Sequence, residues 1–375
     1  MTAIRVGLDG RAFVSPAGGI RRYVHELAHA LLALEHPPEL VVLGGSGGAL
    51  PSGVSRVAAP WHPPTNAGWT LVGLPAAARR ARVDVIHAPA YTAPPRRETP
   101  VVVTVHDVSY ARRPEWYPYR ADWLRQWFYR RSAVGSDRVL TDSTFSRFEI
   151  AAAYGIPESR ISVVPLGVDT RAFCPDTSGA PARPDPETPG PYLLHVGDLH
   201  PRRNLPLMID ALAALDLDTG AGGPLQLVLA GVDRGVAAAL TARAAAGGVG
   251  GRVRILGPVS PERLLALYRG ATALVYPSRY EGFGLPLLEA MACGTPVIAA
   301  RAASIPEVVG DAGDLLDPDD PRAWAGAIAA LMTDGERRAR ARAAGLERAA
   351  AFPWARTAES TLAVYRAVAG RSADA

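Results

Sequence analysis

Short apolar runs alternate with segments of helical periodicity along most of the chain. In the first half the apolar runs are IRVGLD, LVVLG, VDVIHA, VVVTVHD, DRVLTDS and ISVVPLG, and the first helix is predicted over Tyr23–Leu34. In the second half they are PYLLHVGD, LQLVLAG, VRILGPV, ATALVYP and PVIAA. Apolar strands that alternate with helices in this way predict parallel sheets covered by helices.

The stretch 170–191 separates the two series. It is rich in proline, glycine and polar residues, which predicts an interdomain linker. We therefore expect an α/β fold of two doubly wound, Rossmann-like domains, residues 1–169 and 192–351, that face a cleft. Ligands of such sheets bind at the carboxyl ends of the strands. The last segment, residues 352–375, is helical to about Val368 and is expected to return to the first domain.

The most specific motif lies in Tyr276–Val297, YPSRYEGFGLPLLEAMACGTPV. It predicts a strand, a GFG turn, and a helix with Pro286 in its first turn, where proline is tolerated. Glu281 is then expected in the turn and Glu289 in the first full turn of the helix, with free amides between them that favour an anion. Carboxylates bind hydroxyls and amides bind phosphate, so a nucleotide sugar is the simplest ligand. An ordinary strand–turn–helix unit is the alternative, because GFGLP lacks the third glycine of the dinucleotide fingerprint.

Two other predicted strand ends carry polar residues suited to a ligand. Gly197 follows the strand in HVGDLHPRRNLPLMIDAL, and Arg202 and Arg203 precede the next helix, where guanidinium groups and helix amides would bind a diphosphate. His106 and Asp107 end VVVTVHD, and a histidine there could donate to a developing oxyanion or a sugar hydroxyl. The alternatives are a random arginine pair in an arginine-rich chain, and an N-capping or buried structural His–Asp pair.

Gly18 and Gly19, in PAGGIRRYVHELAHAL, are predicted to form a loop before a helix. Such a loop suits close approach of the backbone to a ligand, so we group both glycines with Asp107 as an acceptor or phosphate loop. A plain helix N-terminus is the alternative interpretation.

Several apparent motifs are rejected. G-x-S-x-G occurs at Gly44–Gly48, but Pro51 follows instead of the helix that a nucleophile elbow needs. The D-x-D pairs Asp216/Asp218 and Asp317/Asp319 are expected to be solvated turns. Histidines and carboxylates nowhere show metal-ligand spacing, so no metal site is expected.

The segment Arg112–Arg131, RRPEWYPYRADWLRQWFYRR, places three of the seven tryptophans among arginines. Helical spacing puts Trp123 and Trp127 on one face. Three interpretations stay open: an interfacial membrane contact, an acceptor-binding surface, or a core helix whose arginine heads reach solvent. Nucleic acid is not an expected partner, because the sequence contains no stacking platform or recognition motif.

Composition limits the class of protein. With 375 residues and 48% hydrophobic residues, the chain is long and apolar enough for two globular domains. It contains no run of membrane-spanning length and no visible signal peptide. Two cysteines are too few for a disulfide framework, so a cytoplasmic location is expected, with peripheral contact to the inner face of the membrane as an alternative.

All 40 basic residues are arginine. The absence of lysine excludes chemistry that requires one, including a pyridoxal Schiff base and the P-loop lysine. Residues 1–165 hold 19 arginines against 13 acidic residues, whereas the remainder holds 21 against 23. The basic first half indicates either an anionic membrane or acceptor, or a genome that encodes arginine in place of lysine.

Together, these motifs and their order resemble the retaining glycosyltransferases of family four, which have the GT-B fold. The resemblance extends from G-G-I-x-R-Y through HD, S-x-F-S-R and V-V-P-L-G-V-D to the two glutamates separated by seven residues. The N-terminal half is most similar to the mannosyltransferase-B type of bacterial polysaccharide enzyme. The resemblance implies transfer of a hexose, with GDP-mannose as the preferred donor.

The resemblance also assigns roles to residues. It places Glu281 at the donor hexose, Glu289 at the ribose hydroxyls and His106 near the sugar's 6-hydroxyl. Arg203 stands where the family has a lysine, a departure that could alter how the diphosphate is bound or merely reflect the lysine-free composition. The implied catalytic positions are His106, Arg202, Arg203 and Glu281, and the donor-binding positions are Gly197, Val259, Gly282, Phe283, Gly284, Leu285 and Glu289.

The implied mechanism is transfer with retention through a short-lived oxocarbenium-like ion pair. It requires stabilisation of the leaving diphosphate, but no metal and no cofactor beyond the nucleotide sugar as co-substrate. The acceptor could be a glycan, a lipid-linked glycan or a small molecule. The alternatives are a nucleotide-sugar epimerase or hydrolase on the same fold, and a non-catalytic binding scaffold. Because Glu281 is expected in a surface loop, Glu281→Ala is expected to reduce turnover far more than stability.

Overall fold

The computed structural model describes residues 3–45, 47–59, 65–95, 98–118, 122–176, 190–215 and 223–373, with side chains to residue 370. The chain divides into two compact units, Met1–Gly167 with Trp354–Ala375, and Val168–Pro353. Most of the predicted linker, residues 177–189, and the rejected Asp216/Asp218 pair lie outside the described residues.

The first unit contains a seven-stranded sheet in which every neighbouring pair is parallel. The strand order is β3-β2-β1-β4-β5-β6-β7. The strands are β1 Arg5–Asp9, β2 Glu39–Leu43, β3 Ser55–Val57, β4 Val85–Ala88, β5 Val101–Thr104, β6 Arg138–Thr141 and β7 Ile161–Val163. Six of them coincide with the apolar runs predicted from the sequence, whereas the sequence analysis missed β3, a three-residue edge strand without such a run.

Helices cover this sheet. They are α1 Gly18–Leu32, α2 Asn66–Gly68, α3 Leu74–Ala81, α4 Ser109–Arg112, α5 Trp123–Gly135 and α6 Thr144–Tyr154, and a π-helical turn, Trp69–Gly73, joins α2 to α3. The prediction for α1 was wrong at its start, since the helix begins five residues before Tyr23. The buried side chains of α1 begin only at Tyr23, so apolar periodicity could not reveal its exposed first turn.

The second unit contains a six-stranded parallel sheet in the order β10-β9-β8-β11-β12-β13. Its strands are β8 Tyr192–Val196, β9 Gln226–Ala230, β10 Val253–Gly257, β11 Ala273–Tyr276, β12 Val297–Ala300 and β13 Asp314–Leu316. Its helices are α7 Leu205–Ala213, α8 Ala237–Ala246, α9 Pro261–Gly270, α10 Leu285–Ala292, α11 Ile305–Val309, α12 Pro321–Thr333 and α13 Gly335–Ala350. The sequence analysis also missed β13, which is short and only half-buried.

The C-terminal helix, α14 (Trp354–Ala373), packs against α1 of the first unit. This contact confirms the predicted return of the segment to the first domain. Within that unit Thr357 Oγ1 donates to the carbonyl oxygen of Pro165 at 2.8 Å, and the hydroxyl of Tyr365 lies 2.6 Å from Nδ1 of His87. Gly167 permits the close approach, because a Cβ there would lie 2.5 Å from the backbone nitrogen of Trp354. Among the described residues, no helix is long and apolar enough to cross a membrane.

Candidate functional site

The sheet of the second unit reverses its strand order at β8, which lies between β9 and β11. Connections that leave neighbouring strands in opposite directions open a crevice at their carboxyl ends, where ligands bind in open α/β sheets. The loop after β8 carries Arg202 and Arg203, and the loop after β11 carries Glu281. The two loops are joined, since the backbone N–H of Arg279 donates to the carbonyl oxygen of Arg202 at 2.9 Å.

The turn after β11 leads directly into α10, as the motif predicts. Gly284 precedes the helix with a φ of +108°, a conformation that favours glycine, and Pro286 is the second helical residue. Gly284 is the N-cap residue of α10 and has no side chain to cap the first turn. The hydroxyl of Ser304 fixes the turn, because it donates to the carbonyl oxygens of Glu281 at 2.9 Å and Phe283 at 3.2 Å.

Glu281 is buried rather than exposed in a surface loop. Its residue surface is 4% exposed, and its carboxylate forms an ion pair with Arg203. The expectation that Glu281→Ala spares stability is therefore wrong, because the alanine would leave a buried guanidinium without its anionic partner. Loss of one partner of a buried pair typically costs about 3–5 kcal/mol.

Arg203 is also buried, whereas Arg202 beside it is half-buried. The Arg203 guanidinium bonds to the hydroxyl of Tyr276, lies 3.4 Å from Ser278 Oγ, and lies 5.2 Å from the centroid of the Tyr276 ring. Its Nε is buried and has no hydrogen-bond partner among the described residues. Burial, the largest influence, lowers the pKa of this guanidinium. A diphosphate oxygen is a suitable partner for a buried, forked cation of this kind.

Glu289 lies one turn later than predicted. It is the fifth residue of α10, and so begins the second turn, because the helix starts at Leu285. Its side chain is buried and accepts a hydrogen bond from the hydroxyl of Tyr268 at 2.7 Å. The sequence analysis missed Tyr268, which ends the apolar face of α9 and resembles an ordinary core residue in the sequence.

The remaining donor-binding positions predicted from the sequence also lie in this unit. Val259, half-buried, follows β10, and Gly197 follows β8, where its N–H donates to the carbonyl oxygen of Ala230 at 3.0 Å. The turn before α10 supplies Gly282, Phe283 and Gly284, all buried, and the helix begins with half-buried Leu285.

In the first unit, the structure brings His106 together with Asp142. His106 follows β5 and Asp142 follows β6, and these strands are neighbours in the sheet. His106 Nδ1 lies 2.7 Å from Asp142 Oδ2, and Nε2 donates to the carbonyl oxygen of Pro89 at 3.1 Å. The sequence analysis missed Asp142, although its place after a strand, in DRVLTDS, was an available signal.

The other first-unit positions differ from their predicted arrangement. Gly18 and Gly19 are not a loop: they are the first two residues of α1, and both are exposed. Asp107 accepts hydrogen bonds from the backbone N–H and the hydroxyl of Ser109, at 2.9 and 2.6 Å. Asp107 thus holds the start of α4, which agrees with the N-capping alternative from the sequence.

Helix α5 carries the tryptophans of the arginine-rich segment on its surface. Trp123 is 73% exposed, Leu124 56% and Trp127 52%, which excludes core packing for these side chains.

Of the rejected motifs, Asp319 forms an ion pair with Arg279 and so is more than a solvated turn residue. Within the described ranges, no group of three histidine, cysteine or acidic side chains could hold a metal ion.

Comparison with known families and proteins gives concordant matches. The profile described as glycosyltransferase family 4 matches residues 17–172, and that described as glycosyl transferases group 1 matches residues 181–348. The chain is 34% identical to O-antigen chain mannosyltransferase B of Escherichia coli over 75% of its own length and 74% of the relative's. It is 37% identical to D-inositol 3-phosphate glycosyltransferase of Acidothermus cellulolyticus over 62% of its length, but spans only 54% of that protein.

Solved structures share the fold. Sucrose-phosphate synthase of Thermosynechococcus elongatus superposes with a TM-score of 0.75 at 21% identity, covering 97% of this chain and 98% of that chain. HepE of Anabaena, solved with UDP and glucose, gives a TM-score of 0.69 at 19% identity and covers 97% and 99%.

Proposed function

Because this chain belongs to the glycosyltransferases that join a family-4 N-terminal region to a group-1 C-terminal region, we propose that it moves a hexosyl group, with retention, from a nucleotide-diphosphate sugar to an acceptor. The observation that carries the proposal is the buried Arg203–Glu281 pair at the carboxyl ends of β8 and β11. It sets a cation suited to diphosphate beside a carboxylate suited to sugar hydroxyls.

The arrangement supports departure of a nucleoside diphosphate. As the glycosidic bond breaks, negative charge grows on the diphosphate, and Arg202, Arg203 and the first-turn amides of α10 can stabilise it. Glu281 would bind the hexose and Glu289 the ribose. We expect transfer to persist in EDTA, since these groups supply the positive charge that the leaving group needs.

Mannose is the proposed sugar and GDP-mannose the proposed donor. The similarity to a protein named mannosyltransferase B over three quarters of the chain supports this choice. The acceptor class that we propose is a glycan, carried on a lipid or free.

Thermal unfolding with added UDP, GDP, ADP and their sugar conjugates tests the donor site. A ligand at one hundred times its Kd should stabilise the protein by about 2.7 kcal/mol. We expect one nucleotide series to raise the unfolding temperature, and Glu289→Gln to abolish that rise. Glu307→Gln, at an exposed glutamate of the same unit, is the matched control and should retain it. Failure of every nucleotide to stabilise the folded wild type would contradict the proposal.

We also propose that α5 rests on an anionic membrane surface. At 100° per residue, Trp123, Leu124, Trp127, Arg130 and Arg131 share one face of about 120°. All five are exposed, and the helix contains no acidic residue. Exposed tryptophans beside arginines are typical of helices that lie at the lipid headgroups.

Flotation with vesicles tests this contact. The wild type should float with vesicles rich in phosphatidylglycerol and remain unbound with phosphatidylcholine alone, and Trp123→Ala/Trp127→Ala should lose binding. Leu71→Ala/Val72→Ala is the matched control, since this pair is also exposed but lies on the π-helical turn. If the tryptophan variant still floats, or if the tryptophans instead mediate self-association in size-exclusion chromatography, the membrane contact is wrong.

A further inference from the structure

Both ring nitrogens of His106 are held by protein groups. A carbonyl oxygen can only accept, so the 3.1 Å contact with Pro89 requires a proton on Nε2. At Nδ1, the carboxylate of Asp142 lies at 2.7 Å, a distance that requires a second proton between the two atoms. The pair therefore holds one proton more than a neutral imidazole beside a carboxylate.

Burial raises the pKa of the Asp142 carboxyl, but the charge of that carboxylate raises the pKa of His106 as well, and the ion pair at 2.7 Å favours the proton on the ring. The titratable groups that face His106 are Asp142 after β6, Asp107 beside it, His87 on β4, Tyr23 on α1 and Tyr91 after β4. Burial alone would lower the pKa of His106, but the charge and hydrogen bond of Asp142, with the charge of Asp107, outweigh it and raise that pKa. His87 adds no charge at neutral pH, because burial lowers its pKa to about 3.

We propose that Asp142 is the positioning residue for His106: it fixes the ring and keeps it doubly protonated, so that His106 supplies a fixed positive charge at the end of β5. Such a charge attracts a phosphate oxygen or a sugar oxygen on which negative charge develops. His106 then acts through its charge and does not exchange a proton with substrate. The catalytic part of this inference rests on the proposed function, whereas the charge state of the ring does not.

The first test is NMR of the histidine side-chain nitrogens in the full-length wild type. The chain has eight histidines, and His106→Gln assigns the signal. At neutral pH, both nitrogens of His106 should be protonated, and the ring should titrate above the ordinary histidine value. A neutral ring at neutral pH overturns the proposal without any need for a variant.

The second test is the same titration in Asp142→Asn. Removal of the paired carboxylate should lower the pKa of His106 by about one unit or more. Asp107→Asn is the matched control: it removes an equal charge at the same edge of the sheet, and Asp107 acts on His106 through its charge, so its effect should be smaller. An equal fall in both variants would show a general charge effect and overturn the positioning role.

The third test is the pH dependence of kcat with donor and acceptor. In the wild type, kcat should fall as the pH rises through the raised pKa of His106, and in Asp142→Asn this fall should occur at lower pH. An unmoved profile in a folded Asp142→Asn overturns the catalytic part. Absence of all transfer by the wild type would instead contradict the proposed function, and the NMR titration would still decide the charge state.

Discussion

At the scale of single residues, the candidate site depends on buried polar groups that hold one another. Glu289 accepts a hydrogen bond from the hydroxyl of Tyr268, and Glu281 forms an ion pair with Arg203. A buried charged group that is bonded to a fixed partner has few alternative orientations. Its side chain therefore already has the orientation that ligand binding requires. Tyr268 and Arg203, the partners, therefore determine the geometry of the site as much as the glutamates that would contact the ligand.

Tyr268→Phe tests this dependence. We expect it to raise the KM for the donor severalfold with little change in kcat, because Glu289 keeps its charge but loses the bond that orients it. Loss of a hydrogen bond to a charged group should also cost about 1–3 kcal/mol of stability. Steady-state kinetics and denaturant unfolding measure both effects.

The matched control is Tyr192→Phe. This buried tyrosine donates to the carbonyl oxygen of Leu267 on α9 at 2.8 Å, and so bonds to the backbone of the helix that carries Tyr268. It should lose stability without a change in donor KM. Equal effects of the two substitutions on KM would show that Tyr268 acts only through stability.

At the scale of secondary-structure elements, close backbone approach determines how α14 joins the first unit. Gly167 lies against the start of α14, and Tyr365 of the same helix reaches His87 on β4. A helix that completes a domain from the far end of the chain depends on such contacts, since no short connection holds it in place. One added methyl group can therefore affect the whole element.

Gly167→Ala should destabilise the first unit by about 1–3 kcal/mol, because its Cβ would meet backbone that cannot easily move. Gly326→Ala is the matched control. That glycine lies inside α12 with open space where a Cβ would be, so alanine should leave stability unchanged or raise it. Chemical denaturation of both variants measures the difference, and a neutral Gly167→Ala would show that the approach is not tight in solution.

At the scale of the whole molecule, each unit encloses a histidine that must stay neutral. His87 lies in the first sheet and His195 in the second; both are fully buried, and burial lowers the pKa of each to about 3. The unfolded chain protonates its histidines near pH 6.5, so between pH 6.5 and 3 it binds more protons than the folded chain. His106 contributes to the pH dependence of stability with the opposite sign, since its pKa is raised.

Stability should therefore fall as the pH decreases below 6.5, by about 1 kcal/mol per pH unit for each of the two neutral histidines. Urea unfolding between pH 4 and 8 measures this slope. His195→Gln should flatten it, whereas His36→Gln, at an exposed histidine, should leave it unchanged. A slope that is the same in all three proteins would mean that His195 is protonated in the fold.

Sequence patterns predicted the parallel sheets, the strand–turn–helix unit around Gly284 and the helical character of the C-terminal segment, because each has a periodicity or turn residue that local physics requires. The exposed first turn of α1 and the three-residue edge strands β3 and β13 lack that signal. The burial of Glu281 was missed because a charged residue in a glycine-rich turn is ordinarily exposed.

The sequence by itself determined the fold class, the family and the residue types at each strand end, since these depend on local pattern and on motif order. Only the tertiary structure decided the partners: Arg203 and Glu281 are 78 positions apart, and His106 and Asp142 are 36 apart. Parallel sheets bring the ends of distant strands side by side, and burial then makes a charge require a specific partner. Spacing along the chain does not contain that information, because strand order is fixed only when the sheets assemble.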